Sequence, residues 1–314
     1  MSSNYALEKD ANYENDFANI VEKARSIQKP MRVAIAAADA ENILRGVFDA
    51  AEDGFVEPIL VGSFRKIRNM LDKLELADRD YDIQPVTSDM NAVQYAIDMV
   101  HAGSADCLMR GNTQTRDFLL PILNKSNRLV EEGLMTHVVM VKVPEYDKVL
   151  SISDPTILVE PSIQARKVVV KNMVRALNVF GVEKPNIALL SLVEKPSFHM
   201  RDTVEAQTIV RDHMEESIAD CNLVGPIPYD LIVSKEAARL KNYDCEFCGE
   251  FDGIVVPNLM AGNLLIKVLQ MNARANSLGM IVGAKVPIAI TSRSDSKEQA
   301  YLSLAACATM FQLK

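Results

Sequence analysis

Between Arg32 and Ala37 the chain carries a short apolar run, too brief for a helix, which Pro30 separates from a helix-spaced set at Phe17, Ile20, Val21, Ala24 and Ile27. The same alternation of strand-sized and helix-sized runs recurs down the chain and constrains the fold more than any other feature. Helix spacing at Ile43, Leu44, Val47, Phe48 and Ala51 precedes a strand at Ile59 to Val61, a helix from Ser63 to about Leu74 and a strand near Ile83. A helix through Ala92, Ile97 and Val100 leads to a strand at Cys107 to Met109. A second series begins near Tyr146, with a helix over Ile163 to Val179, a strand at Ile187 to Leu192 and a helix from Thr203 to about Ala219. A strand at Ile254 to Val256, a long helix over Leu264 to Asn276 and strands near Met280 and Val286 complete it. Strands alternating with helices predict an α/β fold with doubly wound parallel sheet.

A chain of 314 residues exceeds the usual single domain, so two are expected, and no Gly/Ser-rich or Pro-rich linker separates the halves. That favours a continuous body with a cleft. With 48% apolar residues, 6% aromatics and no Trp, the core must be aliphatic. A net charge of −8 argues against nucleic acid or an anionic membrane as a broad partner, while a local basic pocket for a small anion stays compatible with it. The opening M-S-S-N-Y-A-L-E-K-D lacks the pattern of a secretory signal, no apolar run approaches a membrane span, and an odd count of five cysteines suggests no disulfide framework. A cytoplasmic location is expected. Cys245 and Cys248 form a lone C-x-x-C with no second pair at zinc spacing, and His101, His137, His199 and His213 are scattered, so neither a metal site nor a triad is predicted.

The chemistry concentrates in V-G-A-K-V-P-I-A-I-T-S-R-S-D-S-K-E-Q, Val282 to Gln299. Val286 to Ile290 reads as a buried central strand. Ser296 with Gln299 three residues on completes a capping box, so a helix is predicted to start at about Lys297. Thr291 to Asp295 then fill a strand-to-helix loop, where open α/β sheets bind ligands and a helix start favours anions. Arg293 adds a bidentate donor fork beside hydroxyls, a natural clamp for phosphate or carboxylate.

With T-S-R-S-D-S-K-E at Thr291 to Glu298 and V-P-N-L-M-A-G-N at Val256 to Asn263, the chain resembles the phosphate acetyl/butyryltransferases, nearer the butyryl branch. M-R-G-N-T-Q-T near Met109, V-E-K-P-S-F-H-M-R-D-T-V-E-A at Val193 to Ala206 and V-G-P-I-P-Y-D at Val224 to Asp230 match less closely. The resemblance implies two α/β domains flanking a cleft, as in isocitrate and isopropylmalate dehydrogenases, with residues 1–143 plus 287–314 forming one and 144–286 the other. It also implies a homodimer, no tightly bound cofactor, no metal, and coenzyme A, acyl phosphate and inorganic phosphate as ligands. The implied reaction is acyl-CoA + phosphate to acyl phosphate + CoA, with a short or branched acyl group such as butyryl.

On this likeness Arg293 holds phosphate, and Ser292 hydrogen-bonds the carbonyl oxygen or the thiolate, unless it is only a backbone cap. Asp295 is the preferred general base and Glu298 the second choice, because a carboxylate in a first helical turn is favoured for structural reasons alone. Gln299 stands where the acetyl branch has an acidic residue. Gly111, Asn112, Thr113 and Thr115 form either a second phosphate-facing loop, with Arg110 and Arg116 adding charge, or a polar turn with Thr115 as a cap. Asn263 is either a cleft residue or a helix-start residue, and Asp154 and Asp230 are weaker counterparts. His199 and Arg201 read as an anion contact or as surface loop. Leu158, Ser197 and Val224 depart from the butyryl pattern and raise a competing reading, a paralogue that binds CoA or an acyl ligand without turnover. A metal-dependent dehydrogenase is the other alternative, against which stands the lack of a G-x-G-x-x-G after a strand.

Overall fold

The computed structural model describes residues 16–131, 133–293 and 295–312. The opening stretch read for a secretory signal lies outside these, as does Ser294 of the C-terminal motif. The first half runs α1 (Ala18–Arg25), β1 (Met31–Ala36), α2 (Glu41–Glu52), β2 (Val56–Gly62), α3 (Phe64–Lys73), β3 (Asp82–Pro85), α4 (Asp89–His101), β4 (Cys107–Arg110) and α5 (Thr115–Leu123). It continues with β5 (Thr136–Lys142), β6 (Val149–Ser153), α6 (Ile163–Val179), β7 (Asn186–Leu190), α7 (Arg201–Glu215), β8 (Asn222–Ile227) and the short α8 (Tyr229–Val233) and α9 (Lys235–Lys241). The last elements are β9 (Gly253–Val255), α10 (Leu259–Met271), β10 (Asn276–Val282), β11 (Ile288–Ala289) and α11 (Lys297–Gln312).

Among the described residues eleven strands join one sheet, in the order β3-β2-β1-β4-β11-β10-β5-β6-β9-β7-β8. From β3 to β11 every pairing is parallel, and so is every pairing from β6 to β8. Between them β11–β10, β10–β5 and β5–β6 are antiparallel. Three successive reversals leave the two parallel runs pointing in opposite directions. The sheet is therefore mixed rather than wholly parallel, and its reversal point is where the last strands of the chain are inserted.

Burial explains the elements. β1 is buried along nearly its whole length, as a parallel strand covered on both faces must be. On α2 the inward stripe is Ile43, Leu44, Val47 and Phe48, whereas α3 buries only Ile67 and Leu71 and turns its charges outward. α11 is buried from Gln299 to Met310, so this helix is enclosed on all sides. Gly46 of α2 lets it in, since a Cβ there would lie 2.4 Å from the Lys297 carbonyl and 2.8 Å from the Ala300 Cβ.

Three strands escape the sequence reading: β5, β6 and β8. The expected helix over Leu264 to Asn276 lies earlier, at Leu259–Met271. Asn258 starts it by accepting the Ala261 N–H at 3.0 Å, and Arg274, at φ 52, turns the chain out of it before Asn276 opens β10. The strand expected over Val286 to Ile290 shrinks to Ile288–Ala289, because Pro287 accepts from the Leu108 N–H at 3.2 Å but has no N–H to return.

Candidate active site

β11 delivers Thr291 and the following loop to the start of α11. The Gln299 carboxamide oxygen accepts the Ser296 N–H at 2.9 Å, and Ser296 Oγ accepts the Gln299 N–H at 3.4 Å, so the capping box forms and the helix begins at Lys297. The Gln299 Nε2 donates to Ser277 Oγ at 2.5 Å, which leaves the amide satisfied and buried. Within the loop, Asp295 Oδ2 accepts the Ser292 N–H at 2.7 Å, the Asp295 N–H donates to the Ser292 carbonyl at 3.0 Å, and Asn42 Nδ2 holds the Asp295 carbonyl at 2.6 Å.

Below this loop lies a cavity of about 270 Å³ that draws on both parallel runs of the sheet and on the antiparallel strands between them. Its apolar wall is Val139, Leu259, Ile266, Leu278 and Ile290, and its polar groups include Arg110, Thr115, His137, Thr156, Asn263, Thr291, Ser292 and Asp295. Three polar atoms of this lining are buried without any hydrogen-bond partner: Arg110 Nε, His137 Nε2 and Thr291 Oγ1. Buried polar groups are nearly always paired, so three orphans on residues of one cavity lining mark it as a candidate place for a polar ligand.

Arg110 is 3% exposed at the end of β4 and donates from Nη1 to Thr115 Oγ1 at 2.7 Å. Burial and the like charge of Arg293 push its pKa down, while Asp295 pulls it back up. These three side chains therefore feel one another's charge, and two cations beside a carboxylate suit a dianionic phosphate. The His137 imidazole, buried in the same wall, is pushed down to about 3 by burial and by Arg110, so it is neutral at physiological pH.

The structure brings Ser292, Asp295, Thr115 and Asn263 together around the cavity. Arg293 is exposed and not in the lining, although its charge reaches Arg110. Gly111, Asn112, Thr113 and Glu298 are not among the lining residues. A Cβ on Gly111 would lie 2.2 Å from the Ala37 carbonyl, and the Gly111 and Asn112 N–H groups donate to the Ala36 and Ala37 carbonyls at 2.9 and 2.7 Å, so this pair docks β4 on the end of β1. Thr115 opens α5 with Gln114 at the cap position, earlier than the start expected near Asp117, and its hydroxyl is spent on Arg110. Asn263 sits in the second turn of α10 rather than at its start and donates to the Pro155 carbonyl at 3.3 Å.

His137, read from the sequence as one of several scattered histidines, turns out to face the cavity together with Thr156. Asp154 is almost fully buried and accepts the N–H groups of His137, Thr156 and Ile157, so it shapes the wall rather than entering the cavity. Asp230 pairs with Lys241 at 2.6 Å, while His199 and Arg201 lie exposed, Arg201 against Glu205. Leu158, Ser197 and Val224 are not among the lining residues either. Among the described residues, no three His, Cys, Asp or Glu side chains cluster so as to hold a metal ion, and no helix is long and apolar enough to cross a membrane.

The sequence pattern of the phosphate acetyl/butaryl transferase family matches residues 82–308. A phosphate acetyltransferase of Thermotoga maritima is 31% identical over 91% of this chain and 96% of its own. A phosphate butyryltransferase of Clostridium acetobutylicum is 30% identical over 93% of this chain and 97% of its own. A branched-chain phosphotransacylase from Enterococcus faecalis superposes with a TM-score of 0.76 at 27% identity, covering 90% of this chain and 99% of that one. The chain belongs to the phosphate acetyl/butyryl transferase family and is an acyltransferase. A paralogue without turnover is not favoured, since these relatives are named as enzymes.

Proposed function

We propose that the cavity beneath the Thr291–Asp295 loop carries out reversible acyl transfer between coenzyme A and phosphate. The observation that carries this reading is the set of three unpartnered buried polar atoms, on Arg110, His137 and Thr291, in the lining of a cavity that combines other polar side chains with an aliphatic wall. Arg110 and Arg293 hold the phosphoryl oxygens, and the apolar wall accepts a short or branched acyl chain. Asp295 takes the proton from the thiol of CoA. The thiolate then adds to the carbonyl carbon of acyl phosphate, a C–S bond forms, the C–O bond to phosphorus breaks, and phosphate leaves into the arginine pair. Ser292 orients the reacting groups. Thr115 and Asn263 complete the polar wall, Gly111, Asn112 and Thr113 form the strand-exit loop that follows Arg110 and are further candidates for substrate binding, and Glu298 is the second candidate for the base.

The finer features belong to the same proposal. The two opposed parallel runs correspond to the two domains, with the chain passing between them near residues 143 and 286. The enzyme works in the cytoplasm as a homodimer, without a tightly bound cofactor or metal. Release of thiol from acetyl-, propionyl-, butyryl- and isobutyryl-CoA, measured with and without phosphate, tests the reaction directly. Phosphate-dependent release is expected for at least one of the four, and no release with any of them would overturn it.

A further inference from the structure

His137 is held more tightly than a packing residue needs. Its N–H donates to Asp154 Oδ2 at 2.8 Å, its carbonyl accepts from Ser153 Oγ at 2.8 Å, and its ring Nδ1 meets Thr156 Oγ1 at 2.7 Å. The opposite ring nitrogen, Nε2, is buried with no partner, and His137 is one of the residues lining the cavity. Room for it is made by Gly279 of β10, where a Cβ would lie 2.8 Å from Nε2 and 2.6 Å from the Ile290 carbonyl. Gly279 pairs with Val139 in the ladder and its φ is not in the left-handed region, so the glycine answers to space rather than to conformation.

We infer that His137 is a catalytic residue which donates its Nε2–H to the acyl carbonyl oxygen during transfer, and that Thr156 is the positioning residue which places the ring proton on Nε2. The inference rests on the cavity being the site of acyl transfer. Thr156 achieves this by directing its hydroxyl hydrogen at Nδ1, because a neutral imidazole that accepts at one nitrogen carries its proton on the other. A ring kept neutral by burial and by Arg110 is a poor acceptor for the thiol proton but a good donor to an oxygen gaining charge. Phosphate is left to the arginine pair. As the thiolate adds, the carbonyl oxygen becomes an oxyanion and the hydrogen bond strengthens. When the C–O bond to phosphorus breaks the carbonyl re-forms, and the proton has stayed on His137 throughout.

The test combines spectroscopy and kinetics. With four histidines in the chain, ¹⁵N spectra of histidine-labelled enzyme at neutral pH, with His137→Gln for assignment, identify the tautomer. Protonation at Nε2 is expected, and protonation at Nδ1 or at both nitrogens would overturn the inference. His137→Leu should lower kcat by about 10²–10³-fold, the usual effect of losing one such donor, with KM for CoA changed little. His137→Gln, whose amide N–H reaches the same place, should recover much of it. Thr156→Val should fall between the two. Near-normal kcat in His137→Leu, or equal losses in Leu and Gln variants with a vanished limb of the pH profile, would sink the donor role. Should the Leu variant not fold, the tautomer of the wild type decides. Where the wild type turns over and His137→Leu does too, only this inference fails; a wild type without phosphate-dependent transfer removes the cavity reading as well.

Discussion

The carboxylate of Asp295 accepts the backbone N–H of Ser292 at 2.7 Å, so one residue both closes the strand-to-helix loop and presents its charge to the cavity. The two roles separate by substitution. Asp295→Asn keeps an oxygen for the Ser292 N–H and should leave the melting temperature close to wild type, yet lower kcat by about 10²-fold or more and remove the acidic limb of the pH–rate profile. Asp295→Ala should lose loop order as well. An Asn variant with wild-type kcat would hand the base role to Glu298.

The arginine pair is expected to divide phosphate binding. Arg293→Ala, at an exposed position, should leave folding intact and lower turnover by about 10²-fold or more. Arg110→Lys keeps the charge but loses the planar fork that serves Thr115 and a ligand at once, so KM for phosphate should rise about tenfold or more. Initial rates against phosphate concentration check both.

Gly46 and the start of α11 make a pure stability prediction. Gly46→Ala should destabilise the fold by about 2 kcal/mol, despite the better helix propensity of Ala, because the Lys297 carbonyl, the Tyr301 nitrogen and the Ala300 Cβ it would meet cannot swing away. Urea denaturation measures it.

Acid sensitivity should trace in part to His137. The folded state holds it neutral down to about 3, whereas the unfolded chain takes up a proton below about 6.5. The unfolded state then binds more protons across that window, so stability falls as pH drops from about 6.5 towards 3, at up to about 1.4 kcal/mol per pH unit from this group, and is unaffected above it. Denaturation midpoints of the wild type should show that slope, and His137→Gln should lack it.

Met260, Leu264, Val268 and Met271 line one exposed face of α10, with Leu264 63% exposed. Under the homodimer reading this stripe is covered by a second copy. Leu264→Lys should then shift sedimentation from dimer towards monomer. A wild type that sediments as a monomer at micromolar concentration would refute the interface.

Several features follow from neighbours in the chain and were open to reading in the sequence. The α/β alternation is one, since hydrophobic period depends only on which face of a local element is buried. The start of α11 is another, because Ser296 and Gln299 are three residues apart and satisfy each other's backbone groups without help from elsewhere. The loop from Thr291 to Asp295 follows from the same local pattern. The family likeness rested on the same local motifs.

What only the tertiary structure decided is the company that loop keeps. The pairing of β10 with β5 brings Gly279 beside Val139, two residues from His137, and the segment after β6 then supplies Thr156. T-H-V-V-M-V held a signal for β5, an apolar run of strand length, but no local feature says which strand it will lie against. Likewise Gly111 reads as part of a phosphate-facing loop or of a polar turn, and only the laying of β4 against β1 sets the Ala37 carbonyl 2.2 Å from where its Cβ would be. Local hydrogen bonds and hydrophobic period are written over a few residues. A cavity wall is set by which distant strands bury one another, and that choice belongs to the packed core as a whole.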